Sequence, residues 1–225
     1  MLYLLDTANL EAIKKAYEFY PMDGVTTNPT IISKENKKFL DILKNIRTII
    51  GENSMLHVQV LGSTAEKMVE EAEYISNQIG GNLYIKVPVI PEGIKAMKIL
   101  KSKNIKITAT AVLSPQQALI AAKAGADFVA PYVNRIDNIS GNGIKVTAEI
   151  VELFNTHKID TKVLAASFKN VQQVQSVSLA GAHSVTINPE ICDKLLEHPI
   201  TDWSVDQFIK DWEAVYGANS TTLDA

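Results

Sequence analysis

A single lysine interrupts an apolar segment of this chain. Lys86 lies within residues 83–89, LYIKVPV, whose other members are the apolar and aromatic residues expected of a strand buried on both faces. An ammonium group that moves from water into an apolar interior loses hydration, so burial favours the neutral amine. A neutral amine can attack a carbonyl carbon and form a Schiff base. The position therefore indicates a nucleophilic lysine; the alternative is a strand-end lysine whose head reaches solvent.

Short apolar runs alternate with amphipathic helical patterns along the whole chain, and no linker or shift in composition marks a domain boundary. The predicted strands cover residues 2–6, 24–27, 55–60, 83–87, 106–111, 127–130, 162–166 and 184–187. The predicted helices cover residues 10–19, 39–50, 65–79, 93–103, 115–124, 143–155 and 171–179.

Regular alternation of strands and helices implies a parallel sheet with helical crossovers. Eight such units in roughly 200 residues favour an α/β protein made of a single (β/α)₈ TIM barrel. An open, doubly wound sheet is the competing architecture, and it normally has a glycine-rich loop after its first strand. This chain has Asp6-Thr7-Ala8-Asn9 there, which favours the barrel.

In a TIM barrel the carboxyl ends of the strands meet at one mouth, where groups from distant parts of the chain come together. Each predicted strand ends in or next to a polar side chain. In strand order these are Asp6; Thr26, Thr27 and Asn28; Gln59; Lys86; Thr110; Tyr132, Asn134 and Arg135; Ser167 and Lys169; and Thr186 and Asn188. Polar groups from eight strands around a buried lysine predict an active site at this mouth.

Composition limits the partners that the chain is expected to have. The formal net charge is −3 and the basic residues are scattered, so we expect neither nucleic acid nor a membrane surface as a partner. No segment has the apolar length of a transmembrane helix and the amino terminus lacks a signal-peptide pattern, which predicts a cytoplasmic protein. Cys192 is the sole cysteine and the four histidines are dispersed, so we predict no disulfide, no metal and no cofactor.

Five segments resemble the small-subunit transaldolases and fructose-6-phosphate aldolases. In chain order they are residues 5–8 (LDTA), 24–29 (GVTTNP), 85–88 (IKVP), 130–137 (APYVNRID) and 164–169 (LAASFK). The resemblance extends from the first predicted strand to the final helix. It implies a class I aldolase barrel whose Schiff-base lysine lies on the fourth strand, which is the strand that contains Lys86.

The catalytic residues are predicted from this chemistry and from the resemblance. Lys86 would form an iminium, which withdraws electrons while a carbon–carbon bond breaks, without a metal. Tyr132, together with a water molecule held by Gln59 and Thr110, would exchange protons. Asp6 would bind substrate hydroxyls and transfer protons near the sugar chain.

The substrate is predicted to be a small phosphosugar. Asn28 would hydrogen-bond a hydroxyl of its dihydroxyacetone part, and Thr26 is a further predicted substrate-binding residue. Arg135, Ser167 and Lys169 would bind a terminal phosphate, for which the arginine offers a bidentate group.

Purely structural roles for several of these residues stay open. Asn28 could cap the helix that follows it, and Tyr132 could be a packing residue with a satisfied hydroxyl. Arg135 and Asp137 could form a structural ion pair. His57, which lies inside a predicted strand, is interpreted as a satisfied core residue and not as a ligand.

Two positions are expected to separate the activities of this family. Transaldolases are expected to have a glutamate on the third strand and a phenylalanine after the sixth, where the aldolases have glutamine and tyrosine. This chain has Gln59 and Tyr132, and a tyrosine hydroxyl can protonate the carbanion and so release dihydroxyacetone. His57 and Leu113 occur where apolar or aromatic residues are expected, which leaves the sugar preference open.

We therefore predict reversible cleavage of fructose 6-phosphate to dihydroxyacetone and glyceraldehyde 3-phosphate. The first alternative is a transaldolase that moves a dihydroxyacetone unit between phosphosugars such as sedoheptulose 7-phosphate and erythrose 4-phosphate. The second is a barrel that binds a phosphosugar without catalysis.

Residues 203–216 form a further amphipathic pattern after the eighth unit. We predict a barrel domain over residues 1–217 that includes this C-terminal helix, and a mobile tail over residues 218–225. The apolar side chains of the helix could contact a neighbouring subunit or cover the base of their own barrel. The resemblance implies the former, in a homo-oligomer of pentameric rings that stack as a decamer.

Overall fold

The computed structural model describes residues 1–224, and its eight parallel strands form a closed barrel. The strands are β1 (Leu2–Asp6), β2 (Gly24–Thr26), β3 (Met55–Gln59), β4 (Leu83–Pro88), β5 (Ile107–Val112), β6 (Phe128–Pro131), β7 (Lys162–Ala165) and β8 (Ser184–Ile187). Each strand pairs with the next, and β8 pairs with β1 to close the sheet. The predicted (β/α)₈ barrel is thus confirmed.

Helices follow every strand. They are α1 (Leu10–Phe19), α2 (Pro29–Lys34), α3 (Phe39–Ile50), α4 (Ala65–Ile79), α5 (Pro91–Ser102), α6 (Pro115–Lys123), α7 (Val133–Asp137), α8 (Gly143–Thr156), α9 (Val171–Leu179), α10 (Pro189–Lys194) and α11 (Pro199–Tyr216). Polar side chains cap several of them: the Thr64 hydroxyl accepts the amide hydrogen of Lys67, and the Ser114 hydroxyl accepts that of Gln117. A cap of this kind fixes where the chain leaves the barrel mouth and enters a helix.

Three short helices, α2, α7 and α10, are not among the predicted helical segments, although the capping role considered for Asn28 requires a helix at the position of α2. Each has only five or six residues. A helical repeat of apolar residues needs a window of roughly 11–18 residues to be recognised, so such short helices leave no periodic signal. Their position matters because α2 and α7 directly follow strands whose ends contain predicted site residues.

The barrel interior contains the inward-facing residues of each strand. At the amino-terminal end of the strands they form an apolar cluster of Leu4, Met55, Phe128 and Leu164, with Leu2 and Tyr84 packed against it. Gly24 allows close strand packing here, because a Cβ at this position would collide with the main-chain oxygen of Met55. The outward-facing residues of the strands are buried under the helices.

The chain forms two compact units, Met1–Cys192 and a second unit that begins at Asp193. In the second unit α11 begins four residues before the predicted position 203 and ends at the predicted residue 216. Trp212 stacks on Tyr216 with ring centroids 4.3 Å apart. Among the described residues, no helix has both the length and the hydropathy needed to cross a bilayer.

The predicted tail, residues 218–225, forms turns as far as it is described. The Thr221 hydroxyl donates a hydrogen bond of 2.8 Å to the Asp224 carboxylate. Residue 225 lies outside the described part of the chain, and the mobility of the tail stays a prediction.

Candidate active site

A cavity of about 110 Å³ opens at the carboxyl ends of the strands. Its lining consists of Asp6, Thr26, Asn28, Lys86, Ala130, Tyr132, Arg135, Leu164, Ala166, Ser167 and Thr186. Three residues predicted for the site, Gln59, Thr110 and Lys169, are not part of this lining. The fold therefore gathers the other predicted residues, which come from β1, β2, β4, β6 and β7 or directly follow these strands, around one small space.

Lys86 lies inside the barrel and is only 5% exposed. Side chains alternate along β4, so Ile85 and Val87 face the surrounding helices and are fully buried there, while Lys86 faces the cavity. The Lys86 Nζ donates a hydrogen bond of 2.7 Å to the main-chain oxygen of Thr27. The amine is thus fixed within the interior, which is the environment that a Schiff-base nucleophile requires.

Asp6 belongs to a chain of hydrogen bonds that crosses three strands. The Thr26 hydroxyl donates to Asp6 Oδ1 at 2.7 Å, and the hydroxyls of Thr26 and Thr186 lie 2.6 Å apart. Burial raises the pKa of Asp6; the positive charge of Lys86, the Thr26 hydrogen bond and Arg135 oppose this effect. A carboxyl whose pKa is raised exchanges protons more readily near neutral pH than an exposed one does. Asp6 is therefore suited to acid–base chemistry beside the amine.

Thr186 was not assigned a role from the sequence, although its position at the end of β8 was a signal for the site. It lines the cavity and is the outer member of the hydrogen-bond chain that ends at Asp6.

Tyr132 combines a packing role with a polar one. Its hydroxyl lies 2.8 Å from the Thr110 hydroxyl, and its ring is covered by the Arg135 guanidinium at 4.7 Å. Thr110 itself is fully buried beside the cavity and does not line it. The phenol is thus held in place by a hydroxyl on β5 while the residue remains part of the cavity wall.

Gln59 lies at the end of β3, beside a second cavity. This larger and mostly apolar space of about 440 Å³ is bounded by residues of α2, α3 and α4, and Asn28 lines both cavities. Within β3 and β4 the Cα of Gln59 is paired with that of Lys86. A catalytic water held jointly by Gln59 and Thr110 stays a prediction.

Asn28 satisfies both interpretations of its role at once. Its Oδ1 accepts the amide hydrogen of Ile31 at 3.0 Å and so caps α2, while the residue also lines the cavity. Because the cap uses the carbonyl oxygen, the amide NH₂ group is the part of the side chain suited to donate to a substrate hydroxyl.

The predicted phosphate-binding residues are only partly brought together. Arg135 and Ser167 both line the cavity, whereas Lys169 is exposed and lies outside it. The alternative of an ion pair between Arg135 and Asp137 is not found among the ion pairs of residues 1–224. The Asp137 carboxylate instead accepts hydrogen bonds from the Gly143 amide and from Gln173 Nε2, each at 2.7 Å.

His57 is a core residue, but it is only half satisfied. Its Nδ1 lies 2.8 Å from the Thr108 hydroxyl, and its ring stacks on Tyr84 and meets the edge of Phe128. Its Nε2 is buried and, within residues 1–224, has no hydrogen-bond partner. Burial, reinforced by the positive charge of Lys86, holds the pKa of His57 well below its usual value of 6.5. The imidazole is therefore neutral.

No cluster of three or more His, Cys, Asp or Glu side chains within residues 1–224 is arranged to hold a metal ion.

Comparison with known proteins gives matches over almost the whole chain. The family described as Transaldolase/Fructose-6-phosphate aldolase matches residues 3–222. A probable transaldolase of Aquifex aeolicus (strain VF5) is 41% identical over 96% of this chain and 98% of its own length. Another, of Dictyoglomus turgidum, is 43% identical over 96% of this chain and 99% of its own length. With the buried lysine on β4 of a closed barrel, these matches show that the chain belongs to the transaldolase/fructose-6-phosphate aldolase family.

Proposed function

We propose that this protein is a class I aldolase that reversibly cleaves fructose 6-phosphate to dihydroxyacetone and glyceraldehyde 3-phosphate through a Schiff base on Lys86. The observation that carries this proposal is the position of Tyr132, which lies in the wall of the cavity that contains the lysine and whose hydroxyl is hydrogen-bonded to Thr110. A phenol in this place supplies the proton that releases the three-carbon product.

The reaction begins when Lys86 Nζ adds to the C2 carbonyl of the ketose. The carbinolamine loses water and becomes an iminium, and the Asp6 carboxylate takes the proton of the C4 hydroxyl. The C3–C4 bond then breaks, its electrons move into the iminium to give an enamine, and glyceraldehyde 3-phosphate leaves.

The second half of the reaction frees the enzyme. Tyr132 protonates C3 of the enamine, which regenerates an iminium, and water hydrolyses this to dihydroxyacetone and the free amine. The phenol recovers its proton from solvent, and Asp6 releases to solvent the proton that it took from the C4 hydroxyl. Asn28 donates a hydrogen bond to a hydroxyl of the three-carbon unit throughout.

The phosphate of the substrate binds on the side of the cavity formed by Arg135 and Ser167. The guanidinium provides two parallel donors for phosphate oxygens and the Ser167 hydroxyl provides a third. Lys169, two residues further along, is exposed and adds positive charge to the same loop.

Transaldolase activity is the second candidate. The relatives described above are both named probable transaldolase, which favours transfer of the dihydroxyacetone unit to an aldehyde acceptor. Both reactions use the same Lys86 enamine and differ in its fate: protonation in the lyase, addition to a second aldehyde in the transferase.

Incubation with fructose 6-phosphate alone separates the two activities. A lyase releases glyceraldehyde 3-phosphate and dihydroxyacetone without any acceptor, whereas a transferase forms sedoheptulose 7-phosphate only when erythrose 4-phosphate is added. Borohydride treatment in the presence of dihydroxyacetone tests the shared step. A reduced adduct on Lys86, located by mass spectrometry, supports both activities, and its absence supports a barrel that binds phosphosugars without catalysis.

Replacement of Tyr132 with Phe tests the residue that carries the proposal. We expect Tyr132→Phe to retain the borohydride adduct but to lose most of the release of dihydroxyacetone, by roughly 10²-fold or more, as for loss of a general acid. Equal release by the variant and by the wild type would contradict the lyase assignment.

We also infer, from the resemblance, a cytoplasmic homo-oligomer of pentameric rings or a decamer. Trp203, Phe208 and Ile209 of α11 have exposed side chains, which supports a contact with another subunit. Light scattering coupled to gel filtration measures the mass in solution, and a monomer at micromolar concentration would contradict the inference.

A further inference from the structure

Ser167 has a backbone conformation that is uncommon for its residue type. Its φ is +63°, in the left-handed region that serine enters only at a cost in free energy. Such a conformation persists where the surrounding structure holds it, and it is often found at a functional site. Because Ser167 lines the cavity, the contacts that hold it also determine where its hydroxyl lies.

Gln173, on α9, holds the loop that contains Ser167. The main-chain amide of Lys169 donates to Gln173 Oε1 at 2.7 Å, and Gln173 Nε2 donates to Asp137 Oδ2 at 2.7 Å. The other oxygen of Asp137 accepts the main-chain amide hydrogen of Gly143, also at 2.7 Å. A single chain of hydrogen bonds thus joins the loop after β7 to the end of α7 and to the start of α8.

In this series of hydrogen bonds, the donor and the acceptor of each bond are fixed. A carboxylate only accepts, so the NH₂ group of Gln173 must face Asp137 and its oxygen must face the Lys169 amide. Asp137 is itself held at the amino terminus of α8, where the helix dipole favours a negative charge. The glutamine therefore has one permitted orientation, which makes the loop position definite.

The same contacts link the two sides of the phosphate-binding region. Arg135 lies two residues before Asp137 in α7. The main-chain amide of Asn134 donates a hydrogen bond of 2.8 Å to the main-chain oxygen of Ser167. Gly143 packs so closely on α7 that a Cβ there would collide with the Val133 oxygen. Movement of Asp137 would therefore displace both the helix with the guanidinium and the loop with the serine.

The loop after β5 provides an internal comparison. Ala111 has φ +60°, the amide of Leu113 donates to Gln117 Oε1 at 2.8 Å, and the Ser114 hydroxyl caps α6. The two loops have the same spacing, because Gln117 follows Ala111 at the same distance along the sequence as Gln173 follows Ser167. Within residues 1–224, however, only Gln173 of the two glutamines is hydrogen-bonded to a carboxylate.

We propose that Asp137 and Gln173 are positioning residues that hold Arg135 and Ser167 in place and so determine the affinity for the phosphorylated end of the substrate. This inference rests on the phosphate-binding role given to that side of the cavity under the proposed function. It assigns no contact between substrate and either positioning residue.

Two nearly isosteric substitutions test the hydrogen-bond chain. Asp137→Asn turns an NH₂ group towards the NH₂ group of Gln173, and Gln173→Glu places two carboxylates against each other. We expect each variant to raise the KM for fructose 6-phosphate roughly 10-fold, the effect of one lost hydrogen bond. Addition of unphosphorylated dihydroxyacetone to glyceraldehyde should keep its KM.

The double variant Asp137→Asn, Gln173→Glu restores a consistent pattern. The new amide at position 137 then donates to the new carboxylate at position 173, which still accepts the Lys169 amide hydrogen, and the net charge equals that of the wild type. We expect it to recover most of the affinity for fructose 6-phosphate. A purely steric effect of the single substitutions predicts no such recovery.

Gln117→Glu is the matched control, because it makes the same substitution in the loop after β5. We expect it to leave the ratio of the two KM values within about twofold of that of the wild type. Calorimetric titration with inorganic phosphate repeats the comparison without catalysis, so the inference stays testable if the proposed reaction is wrong.

The outcomes are distinct. Absence of a dihydroxyacetone adduct on the wild-type Lys86 overturns the proposed function, whatever the variants do. The positioning inference is overturned if the folded single variants bind phosphate and fructose 6-phosphate as the wild type does. It is also overturned if both KM values rise equally, or if the double variant is as weak as the single ones.

Discussion

The two halves of the barrel interior are formed by the same strands but by different kinds of side chain. Towards the amino-terminal ends, Leu4, Met55, Phe128 and Leu164 pack as an apolar core. Towards the carboxyl-terminal ends, most of the side chains that line the cavity beside Lys86 are polar, and Leu164 of the apolar core also lines it. The first half contributes the burial of apolar surface that stabilises the fold. The second buries polar groups that cost stability and form the candidate active site.

His57 lies where the two halves meet. Its ring packs on Tyr84 and Phe128 of the apolar half, while the charge of Lys86 in the polar half helps to keep it neutral. Its hydrogen bond to Thr108 satisfies one nitrogen and leaves the other without a partner among the described residues. The buried nitrogen without a partner is a cost in stability at the boundary between the apolar and the polar half.

The largest expected effect is that of removing the amine from the polar half. Lys86→Met should abolish the borohydride adduct and lower the rate of cleavage on the order of 10⁴-fold or more, since the proposed nucleophile is lost. Its free energy of unfolding should change by less than about 1 kcal/mol, because one hydrogen bond is lost and one costly burial is relieved. Urea denaturation and trapping measure the two quantities. A large loss of stability would show that the lysine is structural.

The apolar half should respond in the opposite way. Phe128→Ala should lower the free energy of unfolding by about 3–5 kcal/mol, since it removes a large buried ring. The protein that remains folded at low temperature should still form the adduct on Lys86. Phe128→Leu, which keeps most of the volume, should cost less than about 1.5 kcal/mol. Loss of the adduct in folded Phe128→Leu would mean that the reactivity of Lys86 depends on packing in the apolar half.

The cost of burying His57 at the boundary should appear in the pH dependence of the free energy of unfolding. The pKa of His57 is lowered in the fold from 6.5, so the unfolded chain binds a proton first and the free energy of unfolding falls as pH drops below about 6.5. In the double variant His57→Phe, Thr108→Val, the free energy of unfolding should fall less steeply at low pH. It should also be higher than that of the wild type by up to about 1–3 kcal/mol.

Urea denaturation at pH 7.5 and at pH 5 measures that difference. His183, whose pKa is also lowered by burial, contributes in the same direction and is present in both proteins. Asp6, with its raised pKa, contributes in the opposite direction in both proteins. An unchanged dependence on pH in the double variant would exclude His57 as its source.

The smallest expected effect is a shift in the pH dependence of kcat/KM, caused by substitutions in the polar half. Thr26→Val removes the hydrogen bond that lowers the pKa of Asp6, so that pKa should rise further. Because Asp6 acts as a base in the proposed cleavage, the acid limb of kcat/KM should move to higher pH. Thr186→Val, which does not contact Asp6 directly, should move it less. Equal shifts would show that Thr26 has no special role.

Local patterns were sufficient to predict much of the fold. The strand that contains Lys86 is predicted from its apolar residues, and the helix predicted from residue 115 begins there as α6. The helices α7 and α10 are not predicted, and α2 is expected only as the helix that Asn28 could cap, since helices this short have no periodic pattern. Bounds of the longer elements differ from the predicted ones by at most two residues except in α11, where Pro199 begins the helix early.

The candidate site was predicted less completely than the fold. Most of the residues at the strand ends do meet at one cavity, because parallel strands in a barrel direct their carboxyl ends to the same mouth. Gln59 and Lys169 lie at strand ends or loops as well, yet their side chains are not in the wall of that cavity. Which way a loop side chain points depends on contacts with other elements, and spacing along the chain does not encode them.

The sequence by itself determined the architecture, the position of the buried lysine and the family, since all three depend on residue types and their order along the chain. Only the tertiary structure decided that Thr186 reaches Asp6 through Thr26, and that Gln173 is held by Asp137. These partners are far apart in the chain. A hydrogen bond depends on distances and angles that exist only after the strands have closed into a barrel.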